Sequence, residues 1–207
     1  NVFQGIKLLM TNKSFINSVF VSFLYCFGGS IIYGFLTITL SYPLTVKTKI
    51  YPILLVFAIS LTNNFMGEYM FFKSMGAINT VLPVILSPAL SAAGAFALYF
   101  TISGSFRDNI PGVGQYLKKA ILPLVTIIAL FFIANWGGYI YQLVFLSNNG
   151  MHGIGLWGMQ FVREAGNMAV TSVTPDAVEN MKVAFFFISS IIPALFGTVI
   201  IFLSKYL

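Results

Sequence analysis

Charge is what this chain has least of. Only 8% of its 207 residues are Asp, Glu, Lys or Arg, against about 25% in an average soluble domain. So few charges cannot cover a water-facing surface of this size, which excludes an ordinary soluble core protein. The gaps are also ordered along the chain. No charged residue stands between Lys13 and Lys47, Lys49 and Glu68, Lys73 and Arg107, Lys119 and Arg163, or Lys182 and Lys205. Each gap can hold a helix crossing about 30 Å of hydrocarbon, which takes roughly 20 mostly apolar residues. A charge at the bilayer centre costs at least about 2.5–3.5 kcal/mol.

Other scarcities remove other classes. The single cysteine, Cys26, lies in an apolar run; it reads as a small buried hydrophobe and can form no disulfide within the chain. His152 is the only histidine, with no second ligand type clustered near it, so no metal centre is expected. Paired catalytic carboxylates, a Ser/His/Asp set and a Cys cluster are all missing, and no acid falls inside an expected span. A membrane hydrolase or proton pump would need one. Walker motifs are absent, so the chain is not expected to hydrolyse ATP or to act as an enzyme. Gly153-Ile154-Gly155-Leu156-Trp157-Gly158 matches GxGxxG but lacks the preceding strand and the following acid of a dinucleotide site; flexible loop glycines are the better reading. Asn12-Lys13-Ser14 is a glycosylation triplet expected by chance. No basic start runs into a short apolar stretch and a small-residue cleavage site, so no cleavable leader is expected.

What is present is apolar and continuous. Hydrophobic residues make up 58% of the chain, and mean hydropathy is +0.91. The runs do not alternate with period two, which argues against a β-barrel. The expected fold is an all-α polytopic transmembrane bundle in one domain, 1–207. About five spans are expected, near 16–40, 51–66, 80–102, 120–146 and 181–203. Residues 1–15 read as interfacial, and because the chain opens mid-stream at Asn1 an upstream span is left open. Residues 67–79 read as a polar aromatic turn, re-entrant or interfacial. Residues 103–119 and 147–174 read as loops. Thr174-Pro175-Asp176 suits a helix start. Ser30/Gly34 and Ala89/Ala93/Ala97 have the spacing of close helix contacts. Pro83, Pro88 and Pro193 suggest kinks.

The net charge of +6 does not point to nucleic acid, because the bases are scattered over short segments with no basic aromatic face. Beside membrane spans such bases set topology. Their count favours a cytoplasmic position for 42–49, 103–119 and the C-terminus, with the N-terminal segment and 147–180 outside.

Three places carry candidate function. Trp136-Gly137-Gly138-Tyr139-Ile140-Tyr141-Gln142 fits an interfacial aromatic belt; it also fits a pathway lining, with Trp136, Tyr139 and Tyr141 stacking on sugar faces and Gln142 hydrogen bonding. Glu68 fits a solvated loop acid or the mouth of such a path. The segment 103–119 fits a topogenic loop or a docking element for a cytoplasmic partner.

The order of these features resembles the second permease subunit of bacterial carbohydrate importers of the ATP-binding-cassette class, closest to the oligosaccharide subgroup. Phe15-Ile16-Asn17-Ser18 resembles the family's opening of a span. Gly76-Ala77-Ile78-Asn79-Thr80 resembles its Gly-Leu-Leu-Asn-Thr, and Ile121-Leu122-Pro123-Leu124 its Val-Leu-Pro-Leu. Trp136 sits where the family has Trp-Asn. Thr174-Pro175-Asp176-Ala177-Val178, Ile192-Pro193 and Leu203-Ser204-Lys205-Tyr206 resemble its last helix. The resemblance implies a type I importer core in a bacterial plasma membrane, surrounded by lipid. It implies a second permease subunit, a cytoplasmic ATPase dimer carrying ATP and Mg, and an extracellular solute-binding protein, with no cofactor on this chain. It implies an ATPase-coupling loop at Phe106, Arg107, Asp108, Asn109, Ile110, Pro111 and Gly112. That loop departs from the family pattern: it is short and lacks Glu-Ala-Ala, with Gly112 or Gly114 in place of the family glycine. A non-transporting scaffold derived from a permease is the alternative expectation.

Overall fold

The computed structural model describes residues 2–46, 65–106, 111–168 and 175–204. Among them the regular structure is helical, without a strand: α1 (Val2–Thr11), α2 (Lys13–Val46), α3 (Phe65–Ser74), α4 (Val81–Ala89), α5 (Ala93–Ser103), α6 (Val113–Trp136), α7 (Ile140–Phe145), α8 (Ile154–Met168) and α9 (Pro175–Ser204). Single 3₁₀ turns stand at Gly104–Phe106 and Asn149–Met151. Four described stretches are long and apolar enough to cross a membrane: Lys13–Val46, Val81–Phe106, Val113–Trp136 and Asp176–Ile200. The chain is a multi-pass helical membrane bundle. The expected second span, about 51–66, lies almost wholly outside the described residues.

Several boundaries differ from the sequence expectation. The third span is interrupted between Ala89 and Ala93, just after Pro88, which has no N–H to donate within α4. Pro83 sits in the first turn, where proline is tolerated. The interruption takes Ala89, Ala93 and Ala97 off one continuous face. Ala89 is buried while Ala93 and Ala97 are exposed, and the small buried residues of α5 are Gly94 and Ala95. The fourth span begins at Val113, not 120, and stops at Trp136, where Gly137 and Gly138 break the helix before α7. The loop expected at 103–119 therefore shrinks to the residues before Val113. The expected loop at 147–174 contains the 15-residue α8.

α2 lies at the centre, touching α1, α4, α5, α6 and α8. Gly29 faces the Phe131 ring and Gly34 faces Ile128, while Ser41 bonds Tyr116. Numbers on α6 fall as those on α2 rise, so these helices are antiparallel. Phe15 meets Phe185 and Phe23 meets Phe196, so α9 runs parallel to α2.

α2 is built inside out relative to a soluble helix. Its buried positions include Ser18, Ser22, Cys26, Gly29, Ser30, Gly34, Thr37 and Ser41, at intervals of three and four that form one face. Its outward positions are Phe20, Phe27, Ile31 and Phe35. Phe35 is 70% exposed where Thr37 is 1% exposed. Without a hydrophobic force between helices, membrane contacts use small and hydroxyl residues and leave large apolar side chains to lipid.

The two ends of the bundle differ. One end gathers Leu9, Phe15, Trp136, Ile154 and Ala184 into a packed cluster, and α1 lies on α9 with Gly5 against the Asn180 carbonyl. The other end gathers Leu98, Ile102, Tyr116 and Ala120.

Candidate functional site

The α7–α8 region is fastened to the polar face of α2. Asn17 Nδ2 donates to the Gly150 carbonyl at 2.8 Å, and the Tyr25 hydroxyl donates to the Met151 carbonyl at 2.9 Å. The first N–H groups of α8 have no carbonyl inside the helix to bond. Ile154 N–H donates to Ser22 Oγ at 2.7 Å, and Gly153 N–H donates to Gln142 Oε1 at 2.6 Å. Gln142 Nε2 in turn donates to the Gly138 carbonyl at 2.8 Å. The α3–α4 turn is tied in by Asn79, in the left-handed region at φ 64°; its Oδ1 accepts from Ser147 N–H and Oγ, both at 2.8 Å.

The GxGxxG glycines are packing devices here. A Cβ at Gly153 would stand 2.5 Å from Ser22 Oγ and 2.7 Å from Gln142 Nε2. At Gly155 it would strike the Gly137 carbonyl, and at Gly158 the Phe185 ring. Gly155 and Gly158 belong to α8, and Gly153 stands just before its first turn.

The five residues expected to line a pathway separate into groups. Trp136 is buried within the cluster of Leu9 and Phe15 and stacks near Phe132 at 5.7 Å; its Nε1 has no partner. Gln142 is 4% exposed and serves as the α8 cap. Tyr139 is exposed at the start of α7. Glu68 and Tyr141 do come together, on α3 and α7, which lie outside the four spanning stretches. Tyr141 also packs near Phe65 at 5.6 Å and, with Gln142 and Tyr25, lines a cavity of about 30 Å³, room for about one water.

Ser87 completes this group and has no signal of its own in the sequence. Burial pushes the Glu68 carboxyl above the ordinary glutamate range, and the facing Ser87 hydroxyl opposes that rise. Glu68 Oε2 and Ser87 Oγ are both buried without a closed hydrogen bond. Burial raises Tyr141 as well, and the Glu68 charge adds to that rise. Further along the interior, Ser30 Oγ and Thr37 Oγ1 are buried and unpartnered. Buried polar atoms are nearly always satisfied, so each exception calls for a reason.

At the opposite end the described residues of the expected coupling loop, Phe106, Pro111 and Gly112, stand against α6 and α2. Phe106 stacks near Tyr116 at 6.5 Å and lies under Lys119 Nζ at 4.6 Å. Lys119 Nζ also donates to the Ser105 carbonyl at 3.3 Å. The Pro111 carbonyl accepts from the Tyr42 hydroxyl at 3.5 Å, and Gly112 stands at the start of α6 with extended backbone. Arg107, Asp108, Asn109 and Ile110 lie outside the described residues. Among the described residues no group of His, Cys, Asp and Glu could hold a metal ion.

No family model, curated relative or solved structure matches this chain.

Proposed function

We propose that the chain is a transmembrane subunit of an ATP-driven, binding-protein-dependent importer for oligosaccharides in a bacterial plasma membrane. The observation that carries the transport reading is the unsatisfied polar interior. Ser30, Thr37 and Ser87 are buried with unpartnered hydroxyls inside the spanning bundle, whose outer face is apolar, and Glu68 on α3, facing Ser87, holds an unpartnered carboxylate oxygen. A polar interior beneath an apolar coat is what a hydroxyl-rich solute needs to cross a bilayer, and orphaned groups cost about 1–3 kcal/mol each unless something meets them. The order of motifs shared with the carbohydrate permeases supplies the remainder: a second permease subunit, two cytoplasmic ATPases and an extracellular binding protein. In this reading ATP closes the ATPase dimer, and the permease helices rock between inward- and outward-open packings. Glu68, Ser87 and Tyr141 line the path. Gln142 and Trp136 hold α8 and the α2–α6–α9 cluster in place around it.

The test is mass spectrometry of what copurifies with this chain in mild detergent. A second permease-like subunit together with a Walker-motif ATPase is the expected result. The chain alone, or with unrelated membrane proteins, overturns the importer reading.

The alternative is a scaffold subunit that no longer couples, and one observation favours it: Phe106 is held between Tyr116 and Lys119 instead of projecting. Replacing 106–112 with Gly/Ser separates the two. Lost ATPase stimulation in the reconstituted complex supports coupling through this chain, and unchanged stimulation supports the scaffold.

A further inference from the structure

An apolar groove of about 420 Å³ lies between α8 and α9, beside the break at the end of α6. Ile154, Met159, Val162 and Phe185 line it, together with three glycines at 137, 155 and 158. The only side-chain polar atom in the lining, Ser189 Oγ, donates to the Phe186 carbonyl at 3.1 Å. The groove therefore offers no side-chain hydrogen bond to a polar solute. It opens outward, since Val162 is 54% exposed, and it continues into the lipid-facing surface of α9 at Phe186, 69% exposed.

The groove has a headgroup end and a deep end. Gly158 faces Phe185, while Phe161 and Glu164 share a pocket with Val178 and Met181, so α8 climbs toward the start of α9. Asp176, Glu179 and Lys182 stand there, and charges are kept to the ends of membrane spans by their cost at the centre. Ser189 lies about 10 Å further in than Lys182, at 1.5 Å per residue.

Arg163 stands at the headgroup end. It follows Met159 by one helical step of i to i+4, on the same side of α8, and its side chain is exposed. Among the described residues the ion pair is Lys182–Glu179 at 3.8 Å, which leaves Arg163 without a carboxylate. Glu164 turns away into the pocket with Val178 and Met181.

One turn of a helix about 10–12 Å across already exceeds the volume of the groove, so a neighbouring span would lie over it and not in it. A thin apolar chain fits, and a guanidinium at its outer end suits a phosphate. We infer that the groove seats an acyl chain of an acidic phospholipid from the bilayer, with the phosphate on Arg163. Lipid tails are as apolar as the groove, so the chain fixes position and Arg163 supplies the preference for negative charge. The site rests on the membrane placement of the bundle and not on the transport reading.

The test is tryptophan quenching in vesicles that hold the full chain with whatever copurifies. Trp136 and Trp157 directly precede the groove residues Gly137 and Gly158. The probes are phosphatidylglycerol and phosphatidylcholine, each brominated at mid-chain and added at low mole fraction to unlabelled phosphatidylcholine. Stronger quenching by the acidic lipid is expected. Arg163→Ala is expected to lower its relative affinity about fivefold, the worth of one basic residue near a lipid surface, and Arg163→Lys to keep most of it. Val162→Phe, which fills the groove from an exposed position, is expected to reduce quenching by both lipids. Lys73→Ala, on α3, is expected to change neither. Equal quenching by the two lipids, or a preference that survives Arg163→Ala, overturns the headgroup assignment. Quenching indifferent to Val162→Phe overturns the groove, as does no quenching by either lipid, which would leave a polypeptide as the occupant.

Discussion

Gln142 shows how a residue's chemistry is read in sequence and its use only in the fold. A glutamine near the end of a long apolar run offers hydrogen bonds, and a pathway is one place for them. In the structure both ends of its amide are spent, on the Gly138 carbonyl and the Gly153 N–H. Gln142→Leu leaves that buried N–H without a partner, so a loss of about 1–3 kcal/mol is expected, seen as a lower thermal midpoint. Glu68 behaves differently. Its carboxyl is raised by burial, so the folded state keeps its proton to higher pH than the unfolded chain does. From the ordinary value of 4.5 up to the raised one, the folded state binds more protons, and stability falls as pH rises through that window. Glu68→Gln removes this loss. The variant is expected to melt higher than wild type at pH 8, with the advantage fading toward pH 4, in thermal scans across that range. Glu68 and Tyr141 were legible as candidates because a lone acid and an aromatic cluster stand out in an apolar chain. Ser87 was not, since one serine among many carries no pattern until the fold sets it beside a carboxylate.

At the scale of elements, α8 was the least legible. Its sequence is mixed, with two of the GxGxxG glycines inside it and the third just before it, and glycine usually signals a loop. The helix exists because α2 and α7 supply caps for its first N–H groups and because its glycines let it lie against Gly137 and Phe185. Gly155→Ala drives a methyl into a backbone carbonyl that has little freedom to yield, so a loss of about 1–3 kcal/mol is expected. Gly114→Ala, with nothing near its Cβ, is expected to be neutral or to stabilise α6 by up to about 1 kcal/mol. Thermal midpoints of the two variants side by side check both. The α1–α2 junction follows the same logic. Asn12, read in sequence as a chance triplet, caps α2, and Asn12→Ala is expected to cost about 1 kcal/mol.

For the whole molecule, the inversion of α2 is the property that ties fold to environment. Spin labels placed at Phe20, Phe27 and Phe35 are expected to relax with oxygen and not with a polar nickel complex, as lipid-facing sites do. Labels at Ser30 and Thr37 are expected to be shielded from both, or reached by the polar complex if the interior opens. Strong polar access at Phe27 and Phe35 would overturn the membrane placement. The sequence by itself determined that this is a helical membrane bundle, because charge-free runs leave few other ways to satisfy both backbone and lipid. It determined where the described spans lie to within about ten residues at the worst boundary, the end of α6 at Trp136, since hydropathy is a sum over neighbours in the chain. The tertiary structure decided which polar residues are spent and which are left over. A hydroxyl or amide has the same composition whether it caps a neighbouring helix, as Ser22 and Gln142 do, or waits unpartnered, as Ser87 and Thr37 do. Only the approach of a distant segment distinguishes the two, and that distance is not written in the spacing of any one run.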